Sequence, residues 1–380
     1  MKEETGKRSW GWKTLRVLLL ALVAGAGAGV VSSVWTSRSL DEYAKALLAE
    51  RRLPEVSTQK PSPIPGTYEE ALSRVRDSAR TSVATLLPIS DDETSPANWL
   101  STDDALGYGV VVSDDGWVLV DASALQDVRD PVEDIEVWIG GKAYAITSVF
   151  RDVLTSAVML NTDATGVSAV GFATANNVRA GEMMFAVDGN DGVLPTAVVV
   201  PDATFSALPE KAEVFATEWI LDGAAVALSM PLMNGAGELT GLVQAGEVSA
   251  LPLHHAMNAL RDVLRSGTTA YPALGAYVLD LSHAYNISSD LKQNLRAGAL
   301  VIAPNATTRV TVRGGAAAQA GIAANDIILA VDGESVTEAV TLAEILIAYD
   351  PGDIARFTIL RAGQTITLSV TLSDYVNLVY

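Results

Sequence analysis

Hydrophobic and polar positions change their spacing four times along the chain. Val17 to Ser37, "VLLLALVAGAGAGVVSSVWTS", is apolar throughout and carries no charge. As a helix it spans about 31 Å at ~1.5 Å per residue, enough for a bilayer core. In Ser39 to Leu53, Leu40, Tyr43, Leu47 and Leu48 recur at helical spacing, with Ser39 as N-cap and Arg51 and Arg52 in the last turn. Pro54, Pro61, Pro63 and Pro65 then make a stiff extended linker. Beyond "TYEEALSRVRDSARTSVATLLPI", a helix running into a strand, apolar runs are short and alternate, which predicts a barrel or sandwich of strands. "GYGVVVSDDGWVLVDASAL" predicts a hairpin turning at Asp114–Gly116, and "IEVWIGGKAYAI" a second turning at Gly140–Gly141.

The last hundred residues mix periods. "ALGAYVLDLS", "GALVIAPN" and "DIILAVDG" read as strands, "TLAEILIAYDPGD" as an amphipathic helix stopped by Pro351–Gly352, and "IARFTILRAGQTITLSVTL" as a hairpin turning at Ala362–Gly363. "ISSDLKQNLR" reads as a further helix, and "LPLHHAMNALRDVLRSG" as a helix between the two regions. The predicted division is 1–16, a cytoplasmic N-terminus; 17–37, a transmembrane anchor; 38–66, a juxtamembrane helix and linker; and two exported domains, 67–267 and 268–380.

Charge sharpens this picture. The first sixteen residues hold Lys2, Lys7, Arg8, Lys13 and Arg16 against Glu3 and Glu4, which keeps the N-terminus cytoplasmic and exports the rest. Trp35 falls at the outer interface. The rival is a cleaved signal peptide, whose apolar region would be shorter and end at a small-x-small site. Gly25 and Gly29 make a G-x-x-x-G pair that packs two anchors together, unless they only fill a lipid-facing helix. A net charge of −19 argues against nucleic-acid binding. The absence of cysteine excludes disulfides and thiolate metal sites.

From Gly107 onward the segments resemble the HtrA (Deg) family of serine proteases. "GYGVVVSDDGWVLVDASAL" follows that family's first hairpin nearly residue for residue. "IEVWIGGKAYAI", "RDVLTSAVMLN" and "RAGEMMFAVDGN" match its next three segments in order, and Pro231–Leu232 with the "GAGE" turn match its last active-site strands. The resemblance implies a mainly β fold, a chymotrypsin-like double β-barrel over 67–267. Its general-base histidine falls on Ser123, its orienting aspartate on Ser156 and its nucleophile on Leu228. Serine is no base near neutral pH and leucine is no nucleophile. The expectation is therefore an inactive homologue. Ser229 stands one step from the nucleophile position, where its side chain is expected to point elsewhere, and Asp121 is expected in a turn or surface role. Two readings stand beside it: an active serine endopeptidase with a rearranged centre, and a purely structural envelope scaffold. His254, His255 and His283 are assigned structural or surface roles, since adjacent helix positions do not face one site. No metal and no cofactor are expected.

The last domain, 268–380, resembles the PDZ domain that follows the protease in the same family, through "GALV", "GAAAQAGIAANDIILAVDG", "LAEIL", "DPGD" and "LRAGQ". Asn325 replaces the glycine before Asp326, and asparagine tolerates a left-handed turn. The resemblance implies capture of a protein or peptide with a free C-terminus by strand addition, with Ala273, Leu274, Gly275 and Ala276 as the carboxylate loop. Leu274 and Tyr277 would flank the pocket, and the helix "TLAEILIAY" would form its far wall with Leu346. A PDZ domain that only packs on its neighbour is the alternative. The family also implies homo- or hetero-oligomers, a trimer among them, and work in envelope protein quality control or in regulating active proteases.

Overall fold

The computed structural model describes residues 65–89, 99–173, 178–190, 192–204, 208–215, 217–223, 228–244, 248–338, 340–378 and 380. The expected anchor at 17–37, the juxtamembrane helix and nearly all of the linker lie outside them. Among the described residues no helix is long and apolar enough to cross a membrane.

Helix α1, Tyr68–Ser82, starts where the sequence supplies a cap. Thr67 accepts a hydrogen bond from the Glu70 amide, Glu70 takes the Gly66 amide at 2.9 Å, and Ala71, Val75 and Ala79 are buried. The chain then closes a first barrel from β1 (Val83–Pro88), β2 (Gly107–Val111), β3 (Trp117–Asp121), β4 (Ile135–Ile139), β5 (Lys142–Arg151) and β6 (Ala157–Thr162). A short helix α2, Pro131–Asp134, precedes β4. The order is β1-β2-β3-β6-β5-β4. Strand β4 buries every second residue, as a half-covered strand should. Strands β2 and β3 are buried on both faces. Val118 and Val120 point into this barrel's core, whereas Leu119 joins the core of the second barrel.

The second barrel consists of β7 (Glu182–Val187), β8 (Val193–Thr204), β10 (Thr217–Leu221), β11 (Pro231–Met233), β12 (Leu239–Val243) and β13 (Ser249–Pro252), closed as β10-β13-β12-β11-β7-β8. Between β8 and β10 the two-residue strand β9, Glu210–Lys211, leaves the barrel and joins another sheet. Helix α3, Leu253–Ser266, follows and ends at Gly267 with φ 71°.

The last region adds β14 (Pro272–Ala273), β15 (Tyr277–Asp280), helix α4 (Ser289–Lys292), β16 (Ala299–Val301), helix α5 (Ala316–Ala320), β17 (Ile327–Val331), β18 (Glu334–Ser335), helix α6 (Leu342–Leu346), β19 (Ile354–Arg361), β20 (Gln364–Thr371) and β21 (Ser373–Asp374). The sheet order is β20-β19-β17-β16-β15-β9, and β14 pairs with β21. Asn325 takes the left-handed conformation, φ 68°, as expected. The helix expected from "ISSDLKQNLR" shrinks to a single turn, because Gln293 and Asn294 both adopt positive φ. Arg361 grips the buried Asp326 with two bonds, Nε to Oδ1 at 2.7 Å and Nη2 to Oδ2 at 2.6 Å.

Helices α3 and α6 meet through the two neighbouring histidines. Successive side chains on a helix diverge, yet here Glu344 of α6 sits between them. Its Oε1 lies 3.7 Å from His254 Nε2 and 3.9 Å from His255 Nε2, ion-pair distances rather than hydrogen bonds. The expectation that adjacent helix positions cannot face one site is corrected: the partner comes from another helix and fills the angle between them. His255 is buried, stacked 4.1 Å from the Phe215 ring, and neither of its ring nitrogens has a hydrogen-bond partner. Burial lowers its imidazole pKa from 6.5 to about 4. Burial alone would raise the Glu344 carboxyl; the two imidazoles and the Thr341 amide outweigh it and hold the carboxyl well below the usual range.

Two outcomes follow from these contacts. Arg361→Met leaves Asp326 buried without its cation and should cost about 3 kcal/mol in urea unfolding, since breaking one half of a buried pair is strongly destabilising. A loss under about 0.5 kcal/mol, the range of ordinary surface substitutions, would show that the pair does not hold the β17–β19 region. The depressed His255 pKa gives stability that is present above pH 6.5 and is lost as pH falls towards 4, by up to about 3 kcal/mol. In EDTA, His255→Phe should flatten the melting temperature across that window, and an unchanged pH slope would contradict this.

Candidate functional site

A polar cluster lies in the seam between the barrels. Strand β3 ends at Asp121, which is 2% exposed and caps a 3-10 turn over Ala122–Leu125 by accepting the Ser123 amide at 2.9 Å. The turn is tied to the start of β6, since the Ala122 amide donates to the Ser156 carbonyl at 2.7 Å. That places the Ser156 hydroxyl against Asp121, donating to Oδ2. From the second barrel, the Gln244 amide donates to Ser156 Oγ at 2.8 Å. Ser229 Oγ accepts the Asp121 backbone amide at 2.7 Å.

Two backbone features admit this contact between barrels. Ser229 has φ 60°, a left-handed conformation that is unusual for a residue other than glycine, and its amide donates to the Val243 carbonyl at 3.1 Å. Gly107 lets the Leu228 carbonyl come close, since a Cβ there would stand 2.9 Å from that oxygen. The Tyr108 amide then donates to the same carbonyl at 3.2 Å.

The three triad positions thus converge on one place. Ser123 is buried and its hydroxyl has no partner; Ser156 bonds the carboxyl; Leu228, half-buried, turns its carbonyl to β2. Asp121 keeps the expected turn role, since it caps Ala122–Leu125, but it is buried rather than on the surface and stands at the centre of the cluster. Ser229 is fully buried, and its hydroxyl meets the backbone amide of Asp121. The signal that was present is an acid at the end of the fully apolar strand "WVLV". Gln244 was missed altogether, and no local pattern marks it. Burial raises the Asp121 carboxyl, against the lowering effect of its bonds from Ser123 and Ser156. A buried carboxyl with a raised pKa that already receives a serine hydroxyl can accept a proton from it.

The second candidate region lies in the last sheet. Ala273, Leu274 and Ala276 are fully buried, and Gly275 has φ 70° and donates its amide to Glu213 Oε1 at 2.8 Å. Tyr277 opens β15 with its ring 5.5 Å from that of Tyr380. Leu346 of α6 is buried in the same apolar cluster as Leu274 and Ala276. Glu213 was not foreseen. Elsewhere, His254, His255 and Glu344 bring ligand atoms within 4.8 Å of one another, a donor set that suits zinc. His283 is half-buried, and its Nε2 is buried without a partner.

Comparison with known proteins fits this geometry. The PDZ domain family matches residues 280–372. The chain is 28% identical over 325 residues to the putative serine protease HhoB of Synechocystis sp., covering 77% of this chain and 74% of that protein. It is 24% identical over 289 residues to the serine endoprotease DegS of Haemophilus influenzae, covering 71% and 77%. It is 21% identical over 288 residues to a probable periplasmic serine endoprotease, DegP-like, of Halomonas elongata, covering 71% of this chain and 57% of that relative. A serine protease Do-like HtrA of Lactobacillus helveticus is matched over 36% of its length. Among solved structures, the HtrA-type protease AlgW with tripeptide superposes with a TM-score of 0.54 at 19% identity, over 81% of this chain and 97% of that one. AlgW with decapeptide gives 0.52 at 17%, over 81% and 98%. At such identities the superpositions show the fold, a trypsin-like double barrel with a PDZ domain. The expectation of an inactive homologue is overturned by the relatives, which carry the names of serine endoproteases. This chain is a homologue of the HtrA/Deg serine proteases and carries a PDZ domain.

Proposed function

We propose that the chain is an extracytoplasmic serine endopeptidase with a rearranged centre, built on Ser156 and Asp121, that takes its polypeptides through the PDZ domain. The observation that carries this reading is the relay from the Gln244 amide to the Ser156 hydroxyl to the Asp121 carboxyl, set in the seam where the triad positions meet. Ser156 Oγ attacks the scissile carbonyl while its proton passes to Asp121 Oδ2. The carboxyl, raised by burial, then returns that proton to the leaving amine as the peptide C–N bond breaks. A water that gives its proton to Asp121 hydrolyses the Ser156 ester, restoring the serine hydroxyl and releasing the new C-terminal acid. Ala273, Leu274, Gly275, Ala276, Tyr277 and Leu346 would receive C-terminal segments of envelope proteins by strand addition.

Relatives named as periplasmic support placing the barrels outside the cytoplasm. The apolar stretch at 17–37 supports a tether to the membrane. Assembly with further HtrA-like subunits, as a trimer, belongs to the same reading.

Degradation of unfolded casein by the full-length protein tests the reading. The wild type should cleave, and Ser156→Ala should abolish cleavage while Ser229→Ala folds and retains it. Asp121→Asn should slow turnover by roughly a hundredfold or more, the usual worth of a general base. A wild type that leaves casein intact, or cleavage that survives Ser156→Ala, overturns the assignment.

A further inference from the structure

The edge of the PDZ sheet is occupied by the chain itself. Strand β9 comes from the connection between β8 and β10 of the second barrel, yet it pairs antiparallel with β15, Lys211 opposite Tyr277 and Glu210 opposite Val278. The Ala212 amide continues the ladder to the Ala276 carbonyl at 2.9 Å. The segment therefore runs towards the loop at 273–276, the direction in which a C-terminal peptide would be added to this edge.

Its side chains fill the places such a peptide needs. Ala212 is 2% exposed and belongs to one apolar cluster with Leu274, Ala276, Ile345 and Leu346. One residue later the Glu213 carboxyl, 3% exposed, accepts the Gly275 amide through Oε1 and the Tyr380 hydroxyl through Oε2. Lys211 donates to the Tyr375 hydroxyl at 3.0 Å and lies 4.5 Å from the centre of the Tyr380 ring. Phe215 anchors the exit of the segment on His255. An extended strand, a small apolar side chain and a carboxyl on the loop amide reproduce, inside one chain, the end of a free polypeptide. The Glu213 side chain stands in for the terminal carboxylate.

We propose that residues 210–213 are a built-in ligand that closes the PDZ groove. The groove accepts in their place a polypeptide C-terminus that ends in a basic residue followed by a small one. This rests on the reading that the groove binds peptide, and it names the ligand class: alanine-sized at the last position, with lysine or arginine before it, held between Tyr375 and Tyr380. A tethered competitor acts at a high effective concentration, so external peptides bind weakly until the segment lets go.

The test uses the full chain and a fluorescent octapeptide ending in glutamate, lysine and alanine with a free carboxylate, read by anisotropy. Glu213→Ala and, separately, Ala212→Pro, which removes the amide bonded to Ala276, should each bind the peptide at least roughly tenfold tighter than wild type. The C-terminally amidated peptide should lose binding, and replacing its lysine by glutamate should weaken it several-fold. Hydrogen exchange on the wild type covers the case in which a variant misfolds. Saturating peptide should deprotect residues 208–215 while residues 277–280 stay protected. Equal peptide affinity in wild type and folded variants, with no deprotection of 208–215, overturns the built-in ligand but leaves peptide binding standing. A peptide that binds neither wild type nor variants overturns both.

Discussion

The seam between the barrels depends on burying one carboxyl. A carboxylate placed at 2% exposure must be fully partnered or neutralised, because its hydration is gone. Asp121 is partnered from every side: the Ser123 amide on one oxygen, the Ser156 hydroxyl on the other, and its own amide on Ser229. Ser123 and Ser156 come from the first barrel, whereas Ser229 and Gln244 come from the second. The same contacts that satisfy Asp121 thus fix the register of one barrel on the other. The strained φ of Ser229 persists because this network over-determines it. The chemistry assigned to Ser156 is a consequence of that requirement, since the hydroxyl that solvates the buried acid is also the one placed to lose its proton to it.

A second requirement of the same kind governs the PDZ domain. Strand β15 ends its sheet and would present a row of bare amides and carbonyls. Strand β9 covers that edge, the Glu213 carboxyl covers the Gly275 amide, and Glu344 of α6 meets the two histidines of α3. The edge that a peptide would need is therefore also the edge the fold uses to join its domains. The two uses exclude one another, which makes peptide binding a matter of competition rather than of vacancy.

Features set by neighbours in sequence were legible. The hairpin turns at Gly116 and Gly141, the helix from Leu253 to Gly267 and the left-handed Asn325 all follow from local chemistry that no distant contact contradicts. Features set by distant contacts were not. Asp121 was legible as the turn residue it is, but not as the buried centre of a cluster, because the partners that make it so lie 35 residues away at Ser156 and 108 away at Ser229. Glu213 stood in an unremarked stretch, and its meaning arises only when it meets Gly275, 62 residues on. The histidines were judged by helix geometry alone, whereas Glu344 approaches from another helix. The resemblance drew attention to Ser123, Ser156 and Leu228, but it spoke only of the histidine, aspartate and serine missing there and not of the acid, Asp121, that bonds two of them.

The most direct measurement of the central claim is covalent. The full-length protein is treated with a fluorophosphonate that phosphonylates activated serine, and the modified residue is mapped by mass spectrometry. Modification of Ser156, dependent on Asp121, is the predicted result. An unlabelled protein, or a label on Ser229, would contradict the assignment of Ser156 as nucleophile.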